Sequence, residues 1–438
     1  YVLTSTNLFL VIPRSNFFVF MSYLDSIRLH VWLSTLILVL AIAHSVLFMV
    51  KWTLQGVLFA KLFKMQNFIG LTIFIKIVVL LVLSLTSYRR RNYESFYVIH
   101  QIAMFSFVVM TIFHSDPQVF TPFGFINIVF LLMMMVNKII NNISRMDDPF
   151  IINEVKEYGS LKMISFKNNK INNMIDYNLA DDIFAPKMIP GAHIRLHESS
   201  IISWEFWLKP SHPFTLVSNE QLIIRENEFS RFTSYNMTKL KDLSLVGNYR
   251  PNEQIFTLVD SLKTSGKENI ISLVAGGSGI SFILSILMYI LKLDHNDKAF
   301  VIWSIKDINE SFLLLDFLKK NYSNKANTKL ELKFNISQFK ESPELLSRKL
   351  ELENDIADTR LKLNINIGIE YNQRLEMVSV VDSHKQLAEE ENGGLLSHWA
   401  VCCGPSLMID ECCQSFEAYN GSISVNSSAP LVEFISEE

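Results

Sequence analysis

Charge is distributed along this chain in a way that admits few architectures. Residues 1–140 hold 10 Lys or Arg and 3 Asp or Glu, so only 13 charges fall in 140 positions. The other 298 positions hold the remaining 70 charges. The first part is therefore +7 and the second −10, which gives the formal net −3. Within the first part, apolar runs long enough to cross a bilayer follow one another. A spanning helix takes about 20 such residues. Val31–Val50, Phe96–His114 and Val119–Val136 contain no charge, and Phe68–Ser87 contains only Lys76. The sequence predicts a multi-pass helical membrane bundle in contact with the lipid bilayer, then an acidic, soluble remainder. This argues against a wholly soluble enzyme and against a disordered chain. It also argues against a nucleic-acid binder, because the basic excess lies inside the apolar third. Tyr1–Ile12 reads as the tail of a further helix, and the chain as beginning within it.

Lys and Arg in the connections set the orientation of such a bundle. Arg14, Arg28, Arg89, Arg90, Arg91, Lys138 and Arg145 fall on one side, against Lys51, Lys61 and Lys64 on the other. Seven against three places the first set, and the soluble remainder, in the cytosol.

Histidine gives the membrane part its chemistry. Residues 1–140 contain four: His30, His44, His100 and His114. They form two pairs, each spaced by 14 residues. At about 3.6 residues per turn that is nearly four turns, so both members of a pair share a helix face, ~21 Å apart along the axis. Both helices run from cytosol to exterior, so His30 is level with His100 and His44 with His114. Two imidazoles facing at one depth can hold a haem iron from both sides. The alternative is four unrelated histidines, some of them interfacial. A zinc site needs its ligands at one point, and these lie at two depths. Lys76, alone in the hydrocarbon, must snorkel or find an anion.

At these residues the chain resembles the ferric reductase and NADPH oxidase superfamily. The carriers are the two His-x13-His helices, the approach Arg91-x-Tyr93-Glu94-x-Phe96-x3-His100, and Pro13-Arg14-Ser15-Asn16. The resemblance implies two b-type haems that pass electrons outward, with an outer-haem propionate as one candidate partner for Lys76. Among fungal members the chain is similar to the probable metalloreductases of the altered-inheritance-of-mitochondria type.

Beyond Arg145, short runs alternate apolar and polar between Pro and Gly, as in a small antiparallel barrel. Pro190-Gly191-Ala192-His193 resembles the family's barrel-strand motif. His212-Pro213-Phe214-Thr215, with Ser218 just after, resembles its flavin-binding motif. Pro fixes an extended backbone there, which lets Thr215 face a flavin ring while Phe214 packs beneath. His193 and His197 read as structural. Gly247-Asn248-Tyr249-Arg250 departs from the family's Gly-Pro-Tyr-Gly, which would cradle phosphate with backbone amides; Arg250 could replace them by charge. Ile270–Ala275 then reads as a buried parallel strand. Gly276-Gly277-Ser278-Gly279-Ile280-Ser281 and the helical Phe282–Leu293 follow. Strand, glycine turn and helix aim backbone N–H groups at a phosphate. The run resembles the nicotinamide-domain turn of ferredoxin reductase-like proteins. Lys306, after the strand Ala299–Ile305, suits a 2′-phosphate and hence NADPH. Cys403-Gly404-Pro405 resembles the family's nicotinamide contact, with Cys403 beside the hydride-transfer site. All four cysteines, Cys402, Cys403, Cys412 and Cys413, lie in this region. Residues 321–395 show no motif and read as an elongated insertion.

The expected fold is a multi-pass α-helical membrane bundle over 1–145. A ferredoxin reductase-like module follows, with an antiparallel β-barrel FAD domain over 146–265 and a Rossmann-like α/β NADP domain over 266–438. The resemblance implies a metalloreductase in the plasma membrane or endoplasmic reticulum. Electrons pass from cytosolic NADPH through FAD and two haems to ferric or cupric ions. Thr215 and Cys403 would serve the chemistry. Dioxygen as acceptor, giving superoxide, is the alternative; the spacing of 14 in both helices resembles the reductases. A haem-binding scaffold without flavin chemistry is the alternative of another class.

Overall fold

A computed structural model describes residues 23–114, parts of 124–136, and 151–167, 189–198, 212–225, 243–249, 251, 253–263, 268–293, 295–322, 327–340, 342–389, 396–426 and 431–437. The chain divides into two compact units, one built mainly from residues 1–149 and the other mainly from the remainder.

The first unit is helical. It contains α1 (Tyr23–Leu54), α2 (Leu58–Leu62), α3 (Met65–Ser84), α4 (Thr86–Arg91) and α5 (Tyr93–His114). Three stretches are long and apolar enough to cross a membrane: Ile27–Leu54, Met65–Ser84 and Tyr93–His114. They correspond to three of the four expected spans. The second ends earlier than the expected Ser87, because Leu85 turns extended (φ −55, ψ 134) and the chain restarts as α4. Of the fourth expected span, residues 124–126, 128–129, 131–133 and 135–136 are helical. Tyr1–Ile12, Pro13–Asn16 and Arg145 lie outside the described residues. α3 packs against both α1 and α5. Large apolar side chains on α1 point outward, Trp32 at 63% and Leu47 at 68% exposure, as a lipid-facing surface requires. Polar side chains on these helices are satisfied locally. The hydroxyls of Thr35, Ser45, Thr53 and Thr72 each donate to the carbonyl four residues back. That bond meets a need that hydrocarbon cannot.

The second unit holds two sheets. The first comprises β1 (Ile151–Tyr158), β2 (Leu161–Lys167), β3 (His193–Glu198), β4 (His212–Ser218), β5 (Gln221–Arg225) and β6 (Leu243–Tyr249), in the order β1-β2-β5-β4-β3-β6. Its described pairings are antiparallel. Gly159, at φ 59, turns β1 into β2. Leu161, Ile164, Phe166, Leu216 and Leu222 are fully buried on it.

After α6 (Glu253–Lys263) comes a parallel sheet in the order β10-β9-β8-β7-β11-β12. Its strands are β7 (Glu268–Gly276), β8 (Lys298–Ile305), β9 (Lys329–Ile336), β10 (Asn366–Tyr371), β11 (Leu396–Cys403) and β12 (Val432–Glu437), all parallel to their neighbours. The helices are α7 (Ile280–Leu293), α8 (Ser311–Asn321), α9 (Pro343–Leu363), α10 (Met377–Glu389) and α11 (Ser406–Asn426). From β7 the chain winds one way through β8, β9 and β10. It then returns to the other side of β7 for β11 and β12. Order therefore reverses between β7 and β11, and a crevice opens at the carboxyl ends of such strands.

The stretch expected as an elongated insertion folds as β9, α9, β10 and α10. Its signals are local. Ser342 caps α9 by accepting from Leu345 N–H at 3.3 Å, Pro343 opens the helix, and Asn364 closes it at φ 51. These are the residue types that begin and end helices.

One polar cluster lies inside this domain. His384 Nδ1 is 2.8 Å from Ser272 Oγ, and its Nε2 is 3.1 Å from His398 Nδ1. Burial, with the neighbouring His398, lowers His384 to about 3; burial also lowers His398. Both are neutral in the folded state. Their folded values lie below the unfolded one, so the folded state binds fewer protons. Stability is thus complete above about pH 6.5 and falls as pH drops toward His384's folded value. We expect the unfolding free energy of this module to fall by up to ~1.4 kcal/mol per pH unit between pH 6 and 4 as His384 becomes protonated on unfolding. His384→Gln should be less stable at pH 7.5 but flatter in pH. An equally steep pH profile in that variant would contradict the assignment.

Candidate functional site

In the membrane unit, α1 carries His30 and His44 and α5 carries His100 and His114. The structure pairs them by level, as expected from the spacing. His30 and His100 have ring centroids 6.4 Å apart with planes at 88°; His44 and His114 are also at 6.4 Å, with planes at 89°. A metal bound by one nitrogen of each ring, at about 2 Å from each, sets two imidazole centroids ~6 Å apart. Both pairs have that separation. His114 Nδ1 is 2.9 Å from Gln66 O. A backbone partner at Nδ1 fixes the tautomer and leaves Nε2 for a metal. His100 Nδ1 is buried with no hydrogen-bond partner. Phe96 stacks on His100 at 5.3 Å. The arrangement therefore suits two haems, one per pair.

Two residues escape a reading by motif. Gly70 on α3 lies against the His114 ring: a Cβ there would sit 2.5 Å from His114 Cε1. The other is Gln66, whose backbone carbonyl orients that ring. Neither has a side-chain chemistry that marks it, and only the packing of α3 on α5 shows the need. Lys76 finds neutral partners on α5: its Nζ donates to Ser106 Oγ and lies 3.2 Å from Met110 Sδ.

In the soluble unit, the glycine turn ends β7 as expected. Gly277–Gly279 form a single 3-10 turn, and α7 starts at Ile280. Gly277 has φ +54, and a Cβ on Gly279 would lie 2.3 Å from Cys403 O. Gly404 closes the gap from the other side, since its Cβ would lie 3.1 Å from Gly276 N. The turn after β7 and the Cys403-Gly404-Pro405 loop after β11 thus meet backbone to backbone at the switch point. Trp303 Nε1–H donates to Gly277 O at 2.9 Å, holding the turn from β8. Ser281 Oγ donates back to Ser278 O at 3.1 Å. Burial, then the Glu437 carboxylate, pushes the Cys403 thiol up to about 12. It stays protonated at neutral pH, so it is a neutral contact and not a nucleophile.

Arg225, at the end of β5, joins this site from the other sheet. Its Nη1 lies over Gly277, 2.6 Å from where a Cβ would be. Its Nη2 donates to Glu310 Oε1 at 2.9 Å and its Nε to Ser160 Oγ at 3.1 Å. Glu310 is 1% exposed, and its Oε2 has no partner. A guanidinium fixed above a glycine turn is chemistry suited to phosphate. Sequence reasoning missed Arg225. The available signal was a short apolar strand, Leu222-Ile223-Ile224, ending on a fork-shaped cation.

His212, Pro213, Phe214, Thr215 and Ser218 all lie on β4, extended as their motif requires. Leu216 N–H donates to Ala192 O at 2.9 Å, and Gly191 N–H to Ser285 Oγ at 2.8 Å. The Pro190–His193 turn is thereby tied both to β4 and to α7. Lys306 stands exposed just after β8. Gly247–Tyr249 belong to β6, and Arg250 lies outside the described residues.

Comparison with known proteins agrees with this arrangement. Residues 1–111 match the ferric reductase like transmembrane component, and residues 268–416 the ferric reductase NAD binding domain. A probable metalloreductase AIM14 of Saccharomyces cerevisiae (strain ATCC 204508 / S288c) is 31% identical over 342 residues, covering 73% of this chain and 56% of its own length. That of Kluyveromyces lactis is 27% identical over 436 residues, covering 94% and 76%. The chain thus spans little more than half the length of the Saccharomyces relatives. Among solved structures, a ferredoxin NADP+ reductase from Neisseria gonorrhoeae with bound FAD and NADP is similar over 65% of this chain and 96% of its own, at 14% identity and a TM-score of 0.40. The chain is a membrane protein with a reductase module, and it belongs to the ferric reductase superfamily.

All four cysteines are free; Cys413 is half-exposed and the other three are buried. We expect iodoacetamide at pH 7.5 to label Cys413 in the native protein, and Cys402, Cys403 and Cys412 only after unfolding. Native labelling of Cys403 as fast as Cys413 would contradict the buried, protonated thiol.

Proposed function

We propose that this chain is the electron-carrying core of a transmembrane metalloreductase. Cytosolic NADPH is the donor, and ferric or cupric ions across the membrane are the acceptors. One observation carries the reading: two imidazole pairs at matched levels, each with ring centroids 6.4 Å apart. FAD, when bound, accepts a hydride and releases single electrons, and the two haems relay them. The chain's own residues bind and orient. His30 with His100, and His44 with His114, would hold the haems. Thr215 and Phe214 on β4 would face the flavin. Gly277–Gly279 and Arg225 would hold the dinucleotide's phosphates, and Lys306 its 2′-phosphate. Cys403 would stand beside the nicotinamide as an uncharged thiol. The excess of Lys and Arg on one side of the expected spans supports a cytosolic module, in the plasma membrane or endoplasmic reticulum.

Dioxygen is the second acceptor to weigh, since electrons delivered outward can form superoxide. NADPH-dependent Fe(III) reduction in oriented membranes, with and without superoxide dismutase, separates the two. Reduction should persist with the dismutase; complete loss would leave an oxidase. His44→Ala should abolish either outward activity and leave flavin reduction by NADPH intact. Gly70→Ala should displace the His114 ring and bring the haem content from two per chain toward one, read by haemochrome assay. Full haem content in that variant would mean that His114 is not a ligand. A purified chain with haem but no flavin absorbance would instead favour a scaffold.

A further inference from the structure

Lys76 is the twelfth of the 20 residues of α3, far from either end of a candidate span. Its ammonium does not reach back to an end of the helix. It crosses to α5, where it donates to Ser106 Oγ and lies 3.2 Å from Met110 Sδ, with Ser106 Oγ 3.5 Å from the same sulfur. These partners are neutral, so the charge itself is not cancelled by them.

The position along the helices is informative. Ser106 follows His100 by six residues and precedes His114 by eight, ~9 and ~12 Å along the axis. On α3, Gly70 lies against His114, and Lys76 is six residues further, ~9 Å toward the other pair. The first count puts the ammonium slightly nearer His30–His100 and the second slightly nearer His44–His114, so it lies about midway between the two imidazole levels. An uncompensated cation in hydrocarbon is costly and is usually functional where it occurs. Here it lies along the line that electrons would follow.

We propose that Lys76 is a fixed countercharge between the two pairs. It raises the reduction potentials of both haems that they hold. The inference rests on the two-haem reading. Each reduction adds one electron to a ferric centre, supplied by the reduced flavin, and so adds one negative charge. A positive charge nearby stabilises that state by Coulomb attraction, which falls with distance and is weakly screened away from water. Lys76 exchanges neither electron nor proton; it acts as a positioning charge through the haems.

The test is a spectroelectrochemical titration of the haem-loaded full chain in lipid nanodiscs. Lys76→Met should lower both midpoint potentials, with the visible bands unmoved. Lys76→Arg should restore values near wild type. Wild-type potentials in Lys76→Met would overturn the proposal, as would equal shifts in both Lys76→Met and Lys76→Arg, which would mark a packing effect. If Lys76→Met fails to bind haem, Ser106→Ala decides. Releasing the ammonium should shift both couples down, and unshifted couples overturn the idea. A wild-type chain without bis-imidazole haem bands would sink the two-haem reading itself, and this inference with it.

Discussion

A polar atom within hydrocarbon has no water to bond, and the membrane unit is organised around that constraint. Hydroxyls on α1 and α3 bond to their own helices. Imidazoles cannot do this, because a ring held off the helix presents nitrogen to whatever lies beside it. The structure gives each ring a level partner across the bundle. One Nδ1 is taken by the Gln66 carbonyl, which leaves Nε2 to face the partner ring. α3 is the element that makes this possible, since it packs on both histidine helices and narrows to a hydrogen atom at Gly70.

The soluble unit obeys a different constraint, set by topology. Reversal of strand order between β7 and β11 leaves two chain turns side by side. Only residues without a Cβ let them meet there. The close approach of Gly279 to Cys403 O therefore fixes where the two turns come together. Trp303 from β8 and Arg225 from β5 brace the turn from two further directions. Burial of the Cys403 thiol follows from the same closeness, and with it the neutrality of that group.

Much of this was legible in the sequence, for identifiable reasons. The spacing of 14 between histidines projects directly onto helix geometry, so the level pairing could be read without coordinates. Ile270–Ala275 and the glycine turn were legible because a doubly buried strand is continuously apolar. Residues 321–395 carry strands and helices but no motif, so only their capping residues, Ser342, Pro343 and Asn364, mark these elements in the sequence. Gly70 and Arg225 were not legible for a deeper reason. Each acts through a neighbour far away in sequence, His114 for one and Gly277 with Glu310 for the other. For Lys76 the sequence offers snorkelling or an anion, and the structure supplies a hydroxyl and a sulfur.

Arg225 belongs to the antiparallel sheet, yet the buried Glu310 that anchors it and the turn it covers belong to the parallel one. An anion seated on that turn would be gripped from both sheets at once. Mass action then makes occupancy and domain docking a single equilibrium: ligand binding tightens the seam, and a loosened seam weakens binding by the same factor. The seam between the antiparallel and parallel sheets would in that sense be a receptor of its own, with affinity and stiffness rising and falling together.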